Sequence, residues 1–148
     1  MRDRRSGFTL IEIMAVVLII GLLSTIVGTV VFSQVDKGRV TTAKAQIKSI
    51  ESGLEFYRMD NGRYPTTEQG LQALVEMPSL EPIPKSWRPE GYLQGGRVPD
   101  DPWSNPYYYL SPGQNNPYSF DLWSLGSDGN PGGEGIDADI GNWHDETL

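Results

Sequence analysis

An unbroken apolar segment near the N-terminus constrains this chain more than any other feature. It runs from Phe8 to Phe32, and its only ionisable side chain in 25 residues is that of Glu12. Since about 20 consecutive apolar residues in a helix cross the hydrocarbon core of a bilayer, the segment predicts a membrane-spanning helix. Arg2, Arg4 and Arg5 precede it and favour a cytoplasmic N-terminus by the positive-inside rule, although four basic residues beyond the segment weaken that charge asymmetry.

Glu12 is the residue within this segment that needs an explanation. A charged side chain inside hydrocarbon costs about 2.5–3.5 kcal/mol, so intramembrane acids are usually paired or functional. Two interpretations are open on these grounds. Either Glu12 lies close enough to the membrane interface to reach the headgroups, or its carboxylate pairs with a cation on a neighbouring subunit.

The junction before the apolar run carries a motif, which reads R-S-G-F-T-L-I-E over residues 5–12. A short basic leader that ends in Gly7, followed by Phe8 and then by Glu12 in fixed register, resembles the prepilin signal of type IV pilins and pseudopilins. The resemblance implies that a prepilin peptidase cuts between Gly7 and Phe8 and then methylates the new amine of Phe8. It also implies that Glu12 of one protomer neutralises the Phe8 amine of the next, which would set the register of a filament.

The rest of the chain narrows the resemblance. The segments 60–74, 101–107, 124–129 and 137–143 together are similar to the major pseudopilins of the type II secretion system. The absence of cysteine agrees with this, because many major type IV pilins close a C-terminal loop with two cysteines. The implied function is that of the major subunit of a pseudopilus, which polymerises from the inner membrane and helps push folded proteins through the outer-membrane secretin. The alternative hypothesis is a type IV major pilin that forms a surface fibre for adhesion, motility or DNA uptake.

Partners and location are implied by the same resemblance. The expected partners are further copies in a helical filament, minor pseudopilins, the prepilin peptidase and the inner-membrane assembly platform. The chain is expected to cross the inner membrane once, with a cytoplasmic N-terminus and a periplasmic head, and then to enter a periplasmic pseudopilus. Nucleic-acid binding is not expected, because all 12 Lys and Arg lie within residues 1–97 and the remainder is acidic. An enzyme is not expected either, since no nucleophile–base pair or phosphate-binding glycine loop is evident.

Helical periodicity continues beyond the apolar segment. Apolar residues recur at spacings of three and four, and we expect them to form the core of the head; they are Val40, Ala43, Ile47, Ile50, Leu54 and Tyr57. The pattern predicts one helix from Phe8 to Met59. Thr66 and Gln69 are spaced as a capping box and predict a short helix to Glu76. Seven of the eleven prolines fall within residues 77–106 and predict an irregular stretch there.

Two strands are predicted after the proline-rich stretch. Residues 107–110 are aromatic, and residues 118–123 alternate apolar and polar side chains as a half-buried strand does. The fold expected is α+β and pilin-like, with a long N-terminal helix packed on a small antiparallel sheet with long loops. The expected organisation is a removed leader at 1–7, a transmembrane and filament-core helix at 8–32, and a head at 33–148 that includes the second half of the long helix.

An acidic, glycine-rich stretch lies near the C-terminus. Residues 125–142 hold six glycines and four acids, a composition that predicts neither a helix nor a regular strand. Spacing alone leaves open a solvated loop and a loop organised by calcium, which prefers oxygen ligands in flexible geometry. The resemblance implies one structural calcium ion, held by the carboxylates of Asp128 and Asp139 and the carbonyl of Leu125, with Asp137 as a further candidate. The ion would then stabilise loops that no disulfide can close.

Overall fold

A computed structural model describes residues 7–143, with the side chains of Ile26 and residues 28–33 left out. The first six residues of the predicted leader and His144 therefore lie outside the described part of the chain. The chain divides into two compact units, Met1–Lys37 and Gly38–Leu148. Each unit is described by itself below.

One helix, α1 (Leu10–Asn61), is by far the longest element. Its ends lie within two residues of the predicted Phe8 and Met59, so the prediction of one unbroken helix is confirmed. The C-terminus is closed by Gly62, whose φ is +76° and whose N–H donates to the Arg58 carbonyl at 2.7 Å. A glycine in the left-handed region just past the last turn is a common helix stop, because glycine adopts this conformation without steric cost.

The first unit contains the predicted membrane span. Within the part of the chain whose side chains are described, no helix is long and apolar enough to cross a membrane. The predicted span at 8–32 includes Ile26 and residues 28–32, whose side chains are outside that part.

The core of the second unit is built on one face of α1. Five positions of the predicted stripe are at most 3% exposed, and Val40 packs half-buried at their edge; the five are Ala43, Ile47, Ile50, Leu54 and Tyr57. The rest of the head packs against this face through Leu71, Leu74, Tyr92, Leu93, Tyr107, Phe120, Leu122 and Ile140. The prediction that the stripe forms the core of the head is confirmed.

The sheet is a three-stranded antiparallel one in the order β1-β2-β3, with β1 at Tyr108–Leu110, β2 at Asp121–Ser124 and β3 at Ile140–Gly141. The two predicted strands are confirmed and pair as an antiparallel hairpin, with Leu122 opposite Tyr109. Two details of the prediction are wrong. The second strand begins at Asp121, because the preceding backbone turns around that side chain. The acidic stretch does contain a strand, since Ile140 buries its side chain and pairs with Ser124.

The predicted helix after Thr66 is also wrong, although its capping box is present. The Thr66 N–H donates to the Gln69 side chain at 3.1 Å, and the Gln69 N–H donates to the Thr66 hydroxyl at 3.2 Å. Gly70 then adopts a φ of +61°, which a continuing helix cannot accommodate. Only a single 3-10 turn follows, at Leu71–Leu74.

The proline-rich stretch at 77–106 is irregular, as predicted, apart from a 3-10 turn at Gln94–Gly96. Polar side chains attach it to the end of α1. Arg88 donates to both carboxylate oxygens of Asp60, and these hydrogen bonds hold the pKa of Asp60 below its usual value. Asn61 accepts a hydrogen bond from the Ser86 N–H at 3.0 Å.

The loop between β1 and β2 is organised around the carboxylate of Asp121, which is 2% exposed. The N–H groups of Gln114 and Asn115 donate to its Oδ2 at 2.8 Å, and that of Asn116 donates to Oδ1 at 2.9 Å. Burial acts to raise the pKa of Asp121, but these hydrogen bonds outweigh it and lower the pKa overall. The carboxylate is close enough that a Cβ at Gly113 would lie 2.5 Å from Oδ1.

We expect Gly53→Ala to destabilise the head, although alanine is the better helix former. A Cβ at Gly53 would lie 2.8 Å from the Leu93 side chain and 2.9 Å from the Tyr92 carbonyl oxygen. Overpacking of this kind costs about 1–3 kcal/mol. Gly38→Ala is the matched control, because a Cβ there meets nothing within 4 Å and gains about 0.5–1 kcal/mol of helix propensity. Thermal unfolding of the full chain in detergent micelles should rank Gly53→Ala below the wild type and Gly38→Ala at or above it. The opposite ranking would contradict the close packing of α1 at Gly53.

We expect the carboxylate of Asp121 to make the head acid-sensitive. Because its pKa is lowered in the folded state, its contribution is complete above the unfolded pKa of about 3.9 and is lost as pH falls through the folded value. Asp121→Asn should lower the free energy of unfolding at pH 7 by about 1–3 kcal/mol, since an amide cannot accept from all three backbone N–H groups. Denaturant unfolding between pH 7 and 2 measures both effects. The exposed Asp100→Asn serves as control, and an equal slope in all three proteins would contradict the assignment.

Candidate functional site

The N-terminal half of α1 presents apolar side chains in every direction. All described side chains from Gly7 to Thr25 are exposed in the single chain, and Phe8 is 85% exposed. The hydroxyls of Ser24 and Thr25 donate to the carbonyls four residues earlier, so the helix satisfies these polar groups internally. A helix that is apolar all round is stable when lipid or other protein covers it.

Glu12 is held by its own chain. Its Oε2 accepts hydrogen bonds from the Thr9 N–H at 2.8 Å and from the Thr9 hydroxyl at 3.0 Å, and the Glu12 N–H approaches the same hydroxyl at 3.3 Å. This is a reciprocal capping box at the start of α1. The sequence prediction missed it, although Thr and Glu three residues apart before an apolar run are its usual signature.

The predicted cleavage junction lies just outside the helix. Gly7 and Phe8 precede the first residue of α1 and have no regular secondary structure. A Cβ at Gly7 would meet no atom of the described chain within 4 Å. The described part of the chain therefore does not cover the predicted junction.

The acidic loop folds back so that its two ends lie side by side. The Ser127 N–H donates to the Ile136 carbonyl at 2.9 Å. Gly126 has a φ of +69°, and a Cβ there would lie 2.8 Å from the Ala138 carbonyl oxygen. Only glycine fits this close approach. The segment that carries Leu125 and Asp128 therefore runs next to the one that carries Asp137 and Asp139.

The three carboxylates predicted as metal ligands differ in their exposure and in their hydrogen bonds. Asp128 is exposed, and its Oδ1 accepts a hydrogen bond from the Asn130 N–H at 3.0 Å. Asp137 and Asp139 are half-buried. Oδ2 of Asp139 accepts from the Gly132 N–H at 3.0 Å, whereas its Oδ1 is buried and has no hydrogen-bond partner in the described chain. Within residues 7–143, no three acidic or histidine side chains lie together as a metal-binding group, so the structure does not bring the three carboxylates to one point.

Two family profiles match the chain. The one described as "Prokaryotic N-terminal methylation motif" matches residues 2–28, and the one described as "Type II secretion system (T2SS), protein G" matches residues 30–143. The second match covers well over half of the chain.

The chain belongs to the protein G family of the type II secretion system.

Relatives and a solved structure agree with this family. The type II secretion system core protein G of Pseudomonas aeruginosa is 54% identical over 142 residues, which are 96% of this chain and 97% of that protein. That of Aeromonas hydrophila is 46% identical over 143 residues, 97% of this chain and 95% of that protein. The crystal structure of the major pseudopilin from the type 2 secretion system of enterohaemorrhagic Escherichia coli has a TM-score of 0.65 and 44% identity, and the match covers 76% of this chain and 92% of that one.

The family decides between the hypotheses drawn from the sequence. The chain is a major pseudopilin with a prepilin methylation motif, a structural protein and not an enzyme. The pilin-like fold, with a long helix on a small antiparallel sheet, is confirmed. The type IV major pilin was the alternative, and the protein G match favours the pseudopilin over it.

The acidic loop of this pseudopilin has the chemistry that a calcium ion requires. Its available ligands are carboxylate and carbonyl oxygens, which are the hard donors that calcium prefers. The buried Oδ1 of Asp139 lacks a partner, and a buried polar atom in this state calls for an ion or a water. Lys44 and Lys48 line the same groove as Asp139, but Lys48 pairs with Glu51 at 3.2 Å, and neither lysine bonds that oxygen. One buried oxygen of Asp139 is therefore available to a cation, although the three carboxylates of the described loop do not meet there.

Proposed function

We propose that this pseudopilin polymerises from the inner membrane into a helical filament whose growth pushes folded proteins through the outer-membrane secretin. The observation that carries the proposal is the N-terminal half of α1, which exposes apolar side chains on all sides and carries one acid, Glu12. The same surface suits two environments in turn. Lipid covers it before assembly, and the helices of neighbouring protomers cover it afterwards.

The prepilin junction supplies the charge that Glu12 needs. Hydrolysis of the bond between Gly7 and Phe8 creates a new amine at Phe8, which is then N-methylated and remains cationic. Within residues 7–143 of the single chain, the Glu12 carboxylate accepts only neutral donors, both from Thr9. An ammonium group of the adjacent protomer makes a stronger, charge-assisted hydrogen bond. A buried ion pair adds little net stability but can fix register, so the pair would set the axial step of the filament.

The proposed location follows from the same segment. The chain crosses the inner membrane once over residues 8–32, with the leader in the cytoplasm and the head in the periplasm. Its partners are the prepilin peptidase, the inner-membrane assembly platform, the minor pseudopilins and other copies of itself. The protein G match and the N-terminal methylation motif support this assignment.

Calcium is the proposed structural ion of the head. Asp128 and Asp139 would supply carboxylate oxygens and Leu125 its carbonyl oxygen, with Asp137 as a further candidate. A bound ion offsets part of the negative charge of the acidic loop and closes it in a head that has no cysteine. The support is the unpartnered, buried Oδ1 of Asp139 and the pairing of the two ends of the loop.

We expect Glu12→Ala to insert in the membrane normally but to fail in filament assembly. Loss of one partner of a buried ion pair costs about 3–5 kcal/mol, and the loss recurs at every protomer. Cells that express the whole secretion system allow both readouts, membrane fractionation for insertion and sheared-filament yield for assembly. Glu68→Ala removes an exposed acid of the head and serves as the charge-matched control. Filaments in normal amount from Glu12→Ala would refute the pairing.

We expect removal of calcium to lower the thermal midpoint of the head. An ion present at about one hundred times its Kd stabilises the folded state by about 2.7 kcal/mol. Differential scanning calorimetry of the full chain in micelles, with calcium and with excess chelator, measures the difference. Asp139→Asn should abolish the calcium effect yet unfold near the wild type in chelator, because its Oδ1 has no hydrogen bond to lose. Equal midpoints of the wild type under both conditions would exclude the calcium site.

A further inference from the structure

The turn at 101–105 is joined to the start of the acidic loop by buried polar groups. Asp101 is 5% exposed, and its Oδ1 accepts hydrogen bonds from the N–H groups of Trp103 at 2.9 Å and Asn105 at 2.8 Å. Its Oδ2 accepts from the hydroxyl of Ser124. The sequence had suggested only an irregular stretch at this point. The carboxylate instead reaches from the turn to the end of β2, one residue before Leu125.

Ser124 is hydrogen-bonded both to Asp101 and to the acidic loop. It is fully buried, and its Oγ accepts a hydrogen bond from the Gly126 N–H at 3.1 Å. The direction of both bonds is fixed by chemistry. A backbone N–H can only donate, so Oγ of Ser124 accepts from Gly126, and the hydroxyl proton of Ser124 is left for Asp101.

Asn105 holds the other side of the same glycine. Its Nδ2 donates to the Gly126 carbonyl at 3.1 Å. Gly126 thus has its N–H anchored by Ser124 and its carbonyl anchored by Asn105. Neither peptide plane that flanks Gly126 can therefore turn without breaking one of these two hydrogen bonds.

This anchoring sets the direction of the Leu125 carbonyl. The peptide between Leu125 and Gly126 is planar and trans, so its carbonyl and its N–H point in opposite directions. Because the Gly126 N–H points to the buried Ser124 hydroxyl, the Leu125 carbonyl points away from it. No side chain of Leu125 is needed for this, and only its backbone oxygen is directed.

We infer that Asp101, Ser124 and Asn105 are positioning residues that aim the Leu125 carbonyl as a ligand of the calcium ion. This inference rests on the calcium site of the proposed function. The three residues lie outside the acidic loop. Ser124 and Asn105 bond it at Gly126, Ser124 also pairs with Ile140, and Asn105 lies beside Gly129. They act as the outer partners that hold a metal ligand in place, and loss of such partners lowers metal affinity by about 10–100-fold.

A purely structural brace is the rival explanation, and it predicts a different result. A brace would change the stability of the head and affect calcium only in proportion to that change. Asp121 provides the comparison, since it is also a buried carboxylate of β2 that accepts backbone N–H groups, but it organises the loop at 114–116. Asp121→Asn should therefore lower stability without changing calcium affinity.

The test measures calcium binding and backbone protection in the full chain in detergent micelles. The variants are Ser124→Ala and Asn105→Ala, with Asp121→Asn as the control. Isothermal titration with calcium chloride gives the affinity, and amide hydrogen exchange in chelator gives the protection of the Gly126 N–H. Asn105 is only half-buried, so its variant folds even if Ser124→Ala does not.

We expect calcium affinity to fall by about tenfold or more in Ser124→Ala and in Asn105→Ala and to stay at the wild-type value in Asp121→Asn. Exchange at Gly126 in chelator should speed up in Ser124→Ala alone, because only that variant loses the acceptor of this N–H. Wild-type calcium affinity in both Ser124→Ala and Asn105→Ala would overturn the positioning role while leaving the calcium site intact. A wild-type chain that binds no calcium would overturn both the site and the positioning role.

Discussion

One face of α1 is the surface on which the whole head depends. The three strands have only three, four and two residues, and a sheet of this size cannot enclose a core by itself. The helix supplies the missing wall with side chains from Ala43 to Tyr57, and Gly53 lets the chain at Tyr92 and Leu93 approach its backbone. The prepilin junction lies just before the N-terminus of the same helix, and Glu12 lies in its first turn. A change in the helix therefore bears on folding or on assembly according to its position along one continuous element.

Buried and half-buried carboxylates hold irregular segments of the head in place, as regular secondary structure does in other small domains. Asp101 and Asp121 each accept several hydrogen bonds from backbone N–H groups, and Asp60 is paired with Arg88. Each of these acids fixes a segment that has no strand or helix to hold it. The acidity of the C-terminal half is thus partly internal, where donors satisfy the charge. Among the buried carboxylate oxygens of the described chain, Oδ1 of Asp139 is the exception.

Much of the fold could be predicted because its main signals are periodic. The spacing of Val40 to Tyr57 marked the buried face, and the aromatic and alternating residues on either side of a turn marked the hairpin. The errors came from residues whose role depends on distant backbone. Gly70 ends a capped turn through its conformation, and Ile140 becomes a strand only because β2 lies beside it. Asp121 stands where alternation suggests a solvent-facing side chain, yet the loop before it supplies enough donors to bury it.

The candidate site residues also divide into those that a local sequence pattern reports and those whose contacts are distant in the chain. Gly7, Phe8 and Glu12 form a local motif that can be recognised in a short window, and the capping box of Thr9 was readable there too. The hydrogen bonds from Asp101 to Ser124 and from Asn105 to Gly126 link residues about twenty positions apart in the chain. No local pattern reports such a contact. The acidic loop could be assigned a chemistry from its composition, but its geometry depends on Gly126 and on the way its two ends pair.

The capping of Glu12 by Thr9 gives the proposed assembly a built-in order of events. Before the leader is removed, the Glu12 carboxylate already accepts hydrogen bonds from Thr9 and would attract a neighbouring subunit only weakly. Uncleaved subunits can then accumulate side by side in the lipid without locking together. Under the proposed pairing, release of the Phe8 amine would introduce a charged donor that binds the Glu12 carboxylate more strongly than Thr9 does. Cleavage of the leader would then also set the time at which polymerisation begins.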